Sequence, residues 1–410
     1  MTQHNESPGR RLMARLDEFA AFTDEAPRLT RLYLSDAHRR AATQFIAWAR
    51  AAGLDAHIDP AGNVIARYEG RRPDAPTLMI GSHIDTVRDA GRYDGNLGAL
   101  AALAVVEDLA ARGERLDVAV DVVAFGDEEG VRFPKTMTGS RELAGLVQDG
   151  ALEQRDRDGV ALQDALRLFG GDPERLRTSR AWGLAGFVEL HIEQGPVLEA
   201  EGLPLGVVTA INGATRFDVT VSGVAGHAGA VPMPLRHDAL AAAAEMILAI
   251  EARAVAEEEL VATVGRLDVE PGAVNVISGV VRFSIDLRAP RNQPRRRAVA
   301  DVANALNAIA ARRGVGLKLI QTHEASAYVC DPGIVAALTA AVEAVGEMPR
   351  LLPSGAGHDT MIMGQVCPAG MLFVRCKGGV SHSPLESITA EDCDIALAAL
   401  ARFVRDFRPA

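Results

Sequence analysis

A chain of 410 residues can hold two domains with large cores, and 48% hydrophobic against 24% charged residues is the balance of an ordinary folded protein without low-complexity tracts. The net charge of −11 argues against a nucleic-acid or anionic-membrane partner, because both reward a basic surface. The N-terminal MTQHNESPGRRLMARLDEFA has no apolar stretch suited to a signal peptide, and no run of about 18 apolar residues occurs, so a cytoplasmic protein acting on a small organic molecule is expected.

In chain order, Asp36 is the expected cap of a helix through AHRRAATQFIAWARAAGL, and DAHIDPAGNVIARYEG reads as a hairpin turned at Pro60-Ala61-Gly62-Asn63. TLMIGSHIDTV is a short buried strand ending in polar residues. A strong helix pattern, ALAALAVVEDLAARG, follows, and then a second buried strand, VAVDVVAF. Helical segments are expected over roughly 140–180, then a strand at GFVELHI; such alternation signals a layered α/β sheet. Near Ile211 the texture changes: TRFDVTVSGVAG and VVRFSIDLRA alternate apolar with polar residues beside two long helical runs, the pattern of a small α+β sandwich. The α/β texture returns with a helix near 333–346 and a strand at GMLFVRC. The expected organisation is a catalytic α/β domain in two parts, 1–212 and 330–410, interrupted by a smaller α+β domain over 213–329. Cys330, Cys367, Cys376 and Cys393 lack CxxC spacing and read as buried, reduced thiols.

The chemistry concentrates where strands end. After VAVDVVAF come Asp127, Glu128 and Glu129, three like charges that repel in a low-dielectric site unless a cation sits among them. His83 and Asp85 lie two residues apart on one strand face, so Asp85 is placed to accept the second ring N–H of His83 and fix its tautomer. Asp94, in RYDGNLG, has an ordinary reading as a helix N-cap. His191 closes GFVELHI. Ligands of open α/β sheets bind beyond the carboxyl ends of strands, and three strand ends carrying two histidines and several acids are best explained by a metal site. Imidazole and carboxylate together suit zinc, manganese, cobalt or nickel rather than calcium. There are more acids than one ion needs, which suggests two metals bridged by a carboxylate, with another carboxylate left as general base.

Eight ordered motifs, GSHIDTV, DGNLGALAAL, GDEEGVRF, ELHIEQGP, AGHAG, NVISG, SGAGHDT and GVSHSP, span nearly the whole chain. Together they resemble the M20 metallopeptidase superfamily, in its amidase and carbamoylase branch of allantoate, N-carbamoyl-L-amino acid, ureidoglycolate and β-ureidopropionate amidohydrolases. The resemblance implies an α/β/α sandwich with a mixed sheet and a smaller dimerisation and lid domain. It implies that His83 and His191 bind one metal, Glu129 and His382 the other, and that Asp94 bridges them. Glu128 is then the general base and Asp85 the partner of His83. His227 is implied to reach a second subunit's site and stabilise the oxyanion. Asn275 and Arg288 are implied to hold the substrate, with Gln194, Gly357 and His358 as further contacts. The residues alone gave no route to His382, which reads as a loop histidine.

The activity so implied is hydrolysis of a ureido or carbamoyl C–N bond in a small carboxylate-bearing substrate, by a homodimer carrying two divalent ions per subunit. Motif wording inclines the reading to allantoate, with N-carbamoyl-L-amino acids close behind and a dipeptidase or a non-catalytic binding relative as alternatives. No phosphate-binding or dinucleotide-binding glycine loop is present. His4, His38, His57, His237 and His323 fall outside the motifs and read as structural or surface residues.

Overall fold

The structure, a computed structural model, describes residues 6–176 and 183–409. In chain order it begins α1 (Pro8–Ala20), α2 (Asp36–Ala51), β1 (Asp55–Ile58), β2 (Val64–Tyr68), β3 (Thr77–His83), α3 (Asn96–Ala111), β4 (Ala119–Phe125), α4 (Thr138–Leu143) and α5 (Leu162–Phe169). Next come β5 (Leu184–Ile192), α6 (Val197–Glu201), β6 (Leu205–Ile211), β7 (Gly213–Ser222), β8 (Gly226–His227), α7 (Ala239–Val255), β9 (Val261–Thr263), β10 (Leu267–Glu270), β11 (Val276–Ile277) and β12 (Val280–Ala289). The chain closes with α8 (Asn292–Arg313), β13 (Gly316–Ala325), β14 (Tyr328–Val329), α9 (Pro332–Ala344), β15 (Arg350–Ser354), α10 (Thr360–Met363), β16 (Ala369–Val374) and α11 (Ala390–Asp406).

Two compact units result. The first takes in Met1–Thr209, Cys330–Leu352 and His358–Ala410; the second takes in Ala210–Val329 and Pro353–Gly357. In the first, the strand order is β1-β2-β4-β3-β5-β16-β6. β3 runs parallel to β4 and β5, and β16 parallel to β5, while β1–β2, β2–β4 and β16–β6 are antiparallel, which makes the sheet mixed. Every residue of β3 and β16 is buried, as expected of strands covered on both faces. Helix α3 lies directly on this sheet: a Cβ on Gly98 would come within 1.9 Å of the Leu190 carbonyl oxygen, so only glycine allows the approach. Its Leu97, Leu100 and Leu103 are fully buried, each contributing roughly 1.5–3 kcal/mol of burial.

The second unit has its own antiparallel sheet, β10-β12-β7-β13, with β9 also on β12. Along β12 the inward residues Val281, Phe283, Ile285 and Leu287 pack with Met246 and Ile250 of α7 and Val302 and Leu306 of α8. The alternate residues Arg282, Ser284, Asp286 and Arg288 take the other face, as the two-residue period requires. This unit starts at Ala210 rather than 213 and also includes Pro353–Gly357. Two hydrogen bonds tie that segment in, Asn212 N–H to the Ser354 carbonyl at 2.9 Å and Arg288 Nη1 to the Gly355 carbonyl at 2.7 Å. Contacts so distant along the chain leave no local sequence signal.

Several local readings are corrected. The cap of α2 is Ser35, whose hydroxyl accepts from His38 N–H, and Asp36 is the first helical residue. Over 140–176 only α4 and α5 form; Gly145, Gly150 and Gly159 adopt positive φ and break the expected helical run, whose end lies outside the described residues. Helices α1 and α11 add to the expected elements, and Leu12, Leu16 and Phe19 of α1 are buried at helical spacing. The four cysteines are free and buried. His38 is buried while His57, His237 and His323 are exposed; His4 lies outside the described residues. Among the described residues no helix is long and apolar enough to cross a membrane.

Candidate metal centre

Parallel pairing brings the carboxyl ends of β3, β4, β5 and β16 to one edge of the sheet. His83 is the last residue of β3 and pairs in register with Phe125, the last of β4; His191 of β5 pairs with Phe373 of β16. The loops that leave these strands therefore deliver the Asp127–Glu129 cluster and His382 to the same place as the two strand-end histidines.

Asp94 stands at the centre. Its Oδ1 lies 3.1 Å from His191 Nε2 and 3.5 Å from His83 Nε2, and its Oδ2 lies 3.3 Å from His382 Nε2. His382 Nε2 is in turn 3.5 Å from Glu129 Oε1. Candidate donor atoms of His83, Asp94 and His191 lie within 4.8 Å of one another, as do those of Asp94, Glu129 and His382. Asp94 thus turns one oxygen toward each group. It does not cap α3, whose N-cap is Gly95, at φ 64° and without a side-chain cap. A Cβ on Gly95 would sit 2.3 Å from the His83 ring, so this glycine is what lets the imidazole lie against the helix entry.

The ring nitrogens are sorted by main-chain carbonyls. His83 Nδ1 donates to the Asp85 carbonyl at 3.0 Å and His191 Nδ1 to the Ile192 carbonyl at 2.9 Å, an assignment that leaves both Nε2 lone pairs facing Asp94. This corrects the expected role of Asp85. Its carboxylate is 3.8 Å from His83 Nδ1 and instead accepts the main-chain N–H groups of Glu128 (3.1 Å) and Glu129 (3.2 Å). Asp85 therefore orients His83 through its carbonyl and pins the acidic loop through its side chain. Asp127, at φ 70°, reverses the chain after β4 and turns its carboxylate to the Thr138 hydroxyl. Glu128 and Glu129 remain half-buried and face the histidines.

The electrostatics show a site short of positive charge. Burial, reinforced by Glu129, Asp359 and Asp85 and opposed by His83, holds the Glu128 carboxyl well above the usual carboxylate range. Burial and the charge on Asp94 push Glu129 up to about 7. His382 is raised to about 9, first by its hydrogen bond to Asp94. His83 and His191 are raised despite burial, by Asp94 and neighbouring acids, and Asp94 is held well below its ordinary value by its three histidine partners despite its own burial. Imidazole and carboxylate donors gathered around such a deficit fit divalent cations of the zinc and manganese kind.

Gln194 is drawn to the centre itself: its Nε2 donates to Asp94 Oδ2 at 2.8 Å. His358 is buried. It is 1% exposed, with its ring 4.6 Å from that of His191 and 6.0 Å from that of Phe373, so its place is behind a candidate ligand. Gly357 is exposed at the edge of the second unit. Within that unit β8 pairs with β11 so that His227 opposes Val276, the residue after Asn275, and both His227 and Asn275 are exposed. Gly229 N–H donates to His227 Nδ1 at 3.1 Å, which leaves the ring proton on Nε2, free to donate outward. Arg288 holds Asp286 in a two-pronged pair (Nε to Oδ1 3.0 Å, Nη2 to Oδ2 2.9 Å) while Nη1 donates to Gly355. All three nitrogens of the guanidinium thus donate within this unit.

Other residues of the centre escaped sequence reasoning. Ser381 donates to Asp94 Oδ2 at 2.7 Å, and Glu386 accepts the Tyr93 and Asp94 N–H groups at 2.7 and 3.0 Å. Beneath them the buried Glu189 accepts from Ser82 and from both the hydroxyl and N–H of Thr360. All are ordinary polar residues with partners far along the chain; only the position of Ser381 beside His382 offered any signal.

Residues 79–406 match the model of Peptidase family M20/M25/M40. The chain belongs to this family, and the mixed sheet with a smaller separate sheet is its architecture. It is 42% identical to an N-carbamoyl-L-amino acid amidohydrolase of Geobacillus stearothermophilus, over 96% of this chain and 97% of that protein. It is 39% identical to an allantoate deiminase of Arabidopsis thaliana, over 96% and 81%. A crystal structure of a hydantoinase/carbamoylase family amidase from Burkholderia multivorans superposes with a TM-score of 0.93 at 34% identity, covering 99% of both chains. Within the family the chain is therefore an amidohydrolase of carbamoyl or ureido amides.

Proposed function

We propose that this enzyme hydrolyses a ureido C–N bond of allantoate, releasing ammonia and carbon dioxide, with two divalent metal ions in each subunit. The observation that carries the two-metal part of this reading is the division of Asp94, one oxygen to His83 and His191 and the other to His382 and Glu129. His83, His191 and Asp94 would hold one ion, and Glu129, His382 and Asp94 the other. When bound, the ions polarise the scissile carbonyl and lower the pKa of water. Glu128 takes a proton from the attacking water and passes it to the leaving nitrogen, a role supported by its donor atom lying within 4.8 Å of those of His83 and Glu129. Asp85 holds the Glu128–Glu129 main chain in place during that transfer. In the second unit, Arg288 takes the substrate carboxylate through the N–H groups that its bonds to Asp286 and Gly355 leave over, Asn275 assists, and His227 donates Nε2–H to the oxyanion of a second copy in a homodimer. Zinc and manganese suit the donors equally.

A second reading is N-carbamoyl-L-amino acid hydrolysis, favoured by the 42% identity to the Geobacillus protein. Ammonia release from allantoate and from a panel of N-carbamoyl-L-amino acids, with manganese- and zinc-loaded protein, separates the two. Allantoate is expected to lead by at least about tenfold in kcat/KM, or about 1.4 kcal/mol of transition-state preference. A carbamoyl amino acid in the lead would establish the second reading, and cleavage of dipeptides alone would remove both.

A further inference from the structure

Arg31 is completely buried, among the largest side chains in the structure to be so. Among the described residues every acceptor it meets is uncharged. Nε donates to the Phe22 carbonyl at 3.0 Å, Nη1 to the Ile84 carbonyl at 2.9 Å and to Asn96 Oδ1 at 2.8 Å, and Nη2 to the Phe19 carbonyl at 2.5 Å, with the guanidinium 4.4 Å from the Phe19 ring. Its main chain is locked as well: Arg31 N–H donates to the Thr86 hydroxyl and Thr86 N–H to the Arg31 carbonyl, both at 2.9 Å. A buried guanidinium is costly, and this one has no carboxylate within ion-pair distance among the described residues, although the charges of Asp24 and Asp85 favour it from farther off.

What Arg31 touches is informative. Ile84 lies between His83 and Asp85, and Asn96 follows Asp94 and Gly95. A single nitrogen, Nη1, therefore bonds both the turn that leaves β3 and the entry to α3. These two segments carry His83 and Asp94, whose donor atoms stand 3.5 Å apart, and Gly95, whose lack of a side chain admits the His83 ring. The Thr86 bonds fix the same turn on the far side of Asp85. The planar fork serves this bridging because its donors hold fixed directions, whereas an ammonium on a flexible stem does not.

We propose that Arg31 is a positioning residue of the metal centre, which clamps the His83–Asp85 turn to the Asp94–Asn96 helix entry so that the ligands are held at binding distance before metal arrives. The inference rests on the two-metal reading. Partners that orient metal ligands typically contribute 10–100-fold to metal affinity. The test is titration of chelator-treated protein with Zn²⁺ or Mn²⁺ against a competing chromophoric chelator, for wild type, Arg31→Met, Arg31→Lys and Asn96→Ala, alongside thermal unfolding of each metal-free protein. Metal affinity is expected to fall about 10–100-fold in Arg31→Met and at least several-fold in Asn96→Ala, with little recovery in Arg31→Lys and KM in saturating metal near wild type. A purely structural role would lower the metal-free melting temperature and leave the affinity of the folded protein unmoved, which would overturn the proposal. Full rescue by Lys would also overturn it, since charge alone would then suffice. If Arg31→Met does not fold, Asn96→Ala decides, because it removes only the Nη1 link to the helix entry. A wild-type protein that takes up no divalent ion would instead remove the metal reading on which the inference depends.

Discussion

Glu128→Gln is expected to lower kcat on the best substrate by about a thousandfold, roughly 4 kcal/mol, while KM and metal content stay near wild type. Glutamine keeps the size of the side chain and its place after Asp127 but can neither accept the proton of the attacking water nor return one to the leaving nitrogen. The main chain at this position is held by the Asp85 carboxylate, which is 2% exposed, so the loop should not move when the side chain changes. Metal content measured on the same preparation distinguishes a missing base from a missing ligand, because donor atoms of His83, Glu128 and Glu129 also lie within 4.8 Å of one another. A variant with wild-type kcat would transfer the base role elsewhere, and one that loses metal would make Glu128 a ligand.

Asp94→Ala should be more damaging still. The carboxylate stands between His83, His191 and His382, and Gln194 and Ser381 donate to its Oδ2, the oxygen that faces His382. Its removal takes a donor from both candidate metal groups and the negative charge that all three histidines face. Metal bound per subunit should fall from two to fewer than one, with activity below detection. Asp94→Asn, which keeps the shape, should recover the fold but not the metal. If either variant retained two ions, Asp94 would be no bridge. Loss of one ion alone would assign it to a single site.

The sequence made the framework of this centre legible because strand ends are legible. GSHIDTV, VVAFGDEE and VELHIEQ each end a buried apolar run in donor residues, and parallel pairing then brings those ends to one edge. His382 lacks such a context. It sits in a loop at φ 55°, half-exposed, and meets Asp94 only through the return of the chain after β16. Resemblance named it where periodicity could not. The two-residue period put Asp85 and His83 on one face, yet it could not say that the carbonyl rather than the carboxylate of Asp85 would meet the ring. Gln194 and His358, which the resemblance names as substrate contacts, lie at the centre itself: Gln194 donates to Asp94, and the His358 ring is 4.6 Å from that of His191. Arg31 was invisible because its acceptors are main-chain carbonyls and one asparagine, which no pattern marks.

A two-metal amidohydrolase of ureido substrates depends on both ions. The most direct test is to strip the protein with a chelator and titrate it with manganese or zinc while ammonia release from allantoate and from N-carbamoyl-L-amino acids is followed. No activity is expected without metal, with a plateau at two equivalents per subunit; full activity in the stripped protein, or a plateau at one equivalent, would rule out a two-metal enzyme.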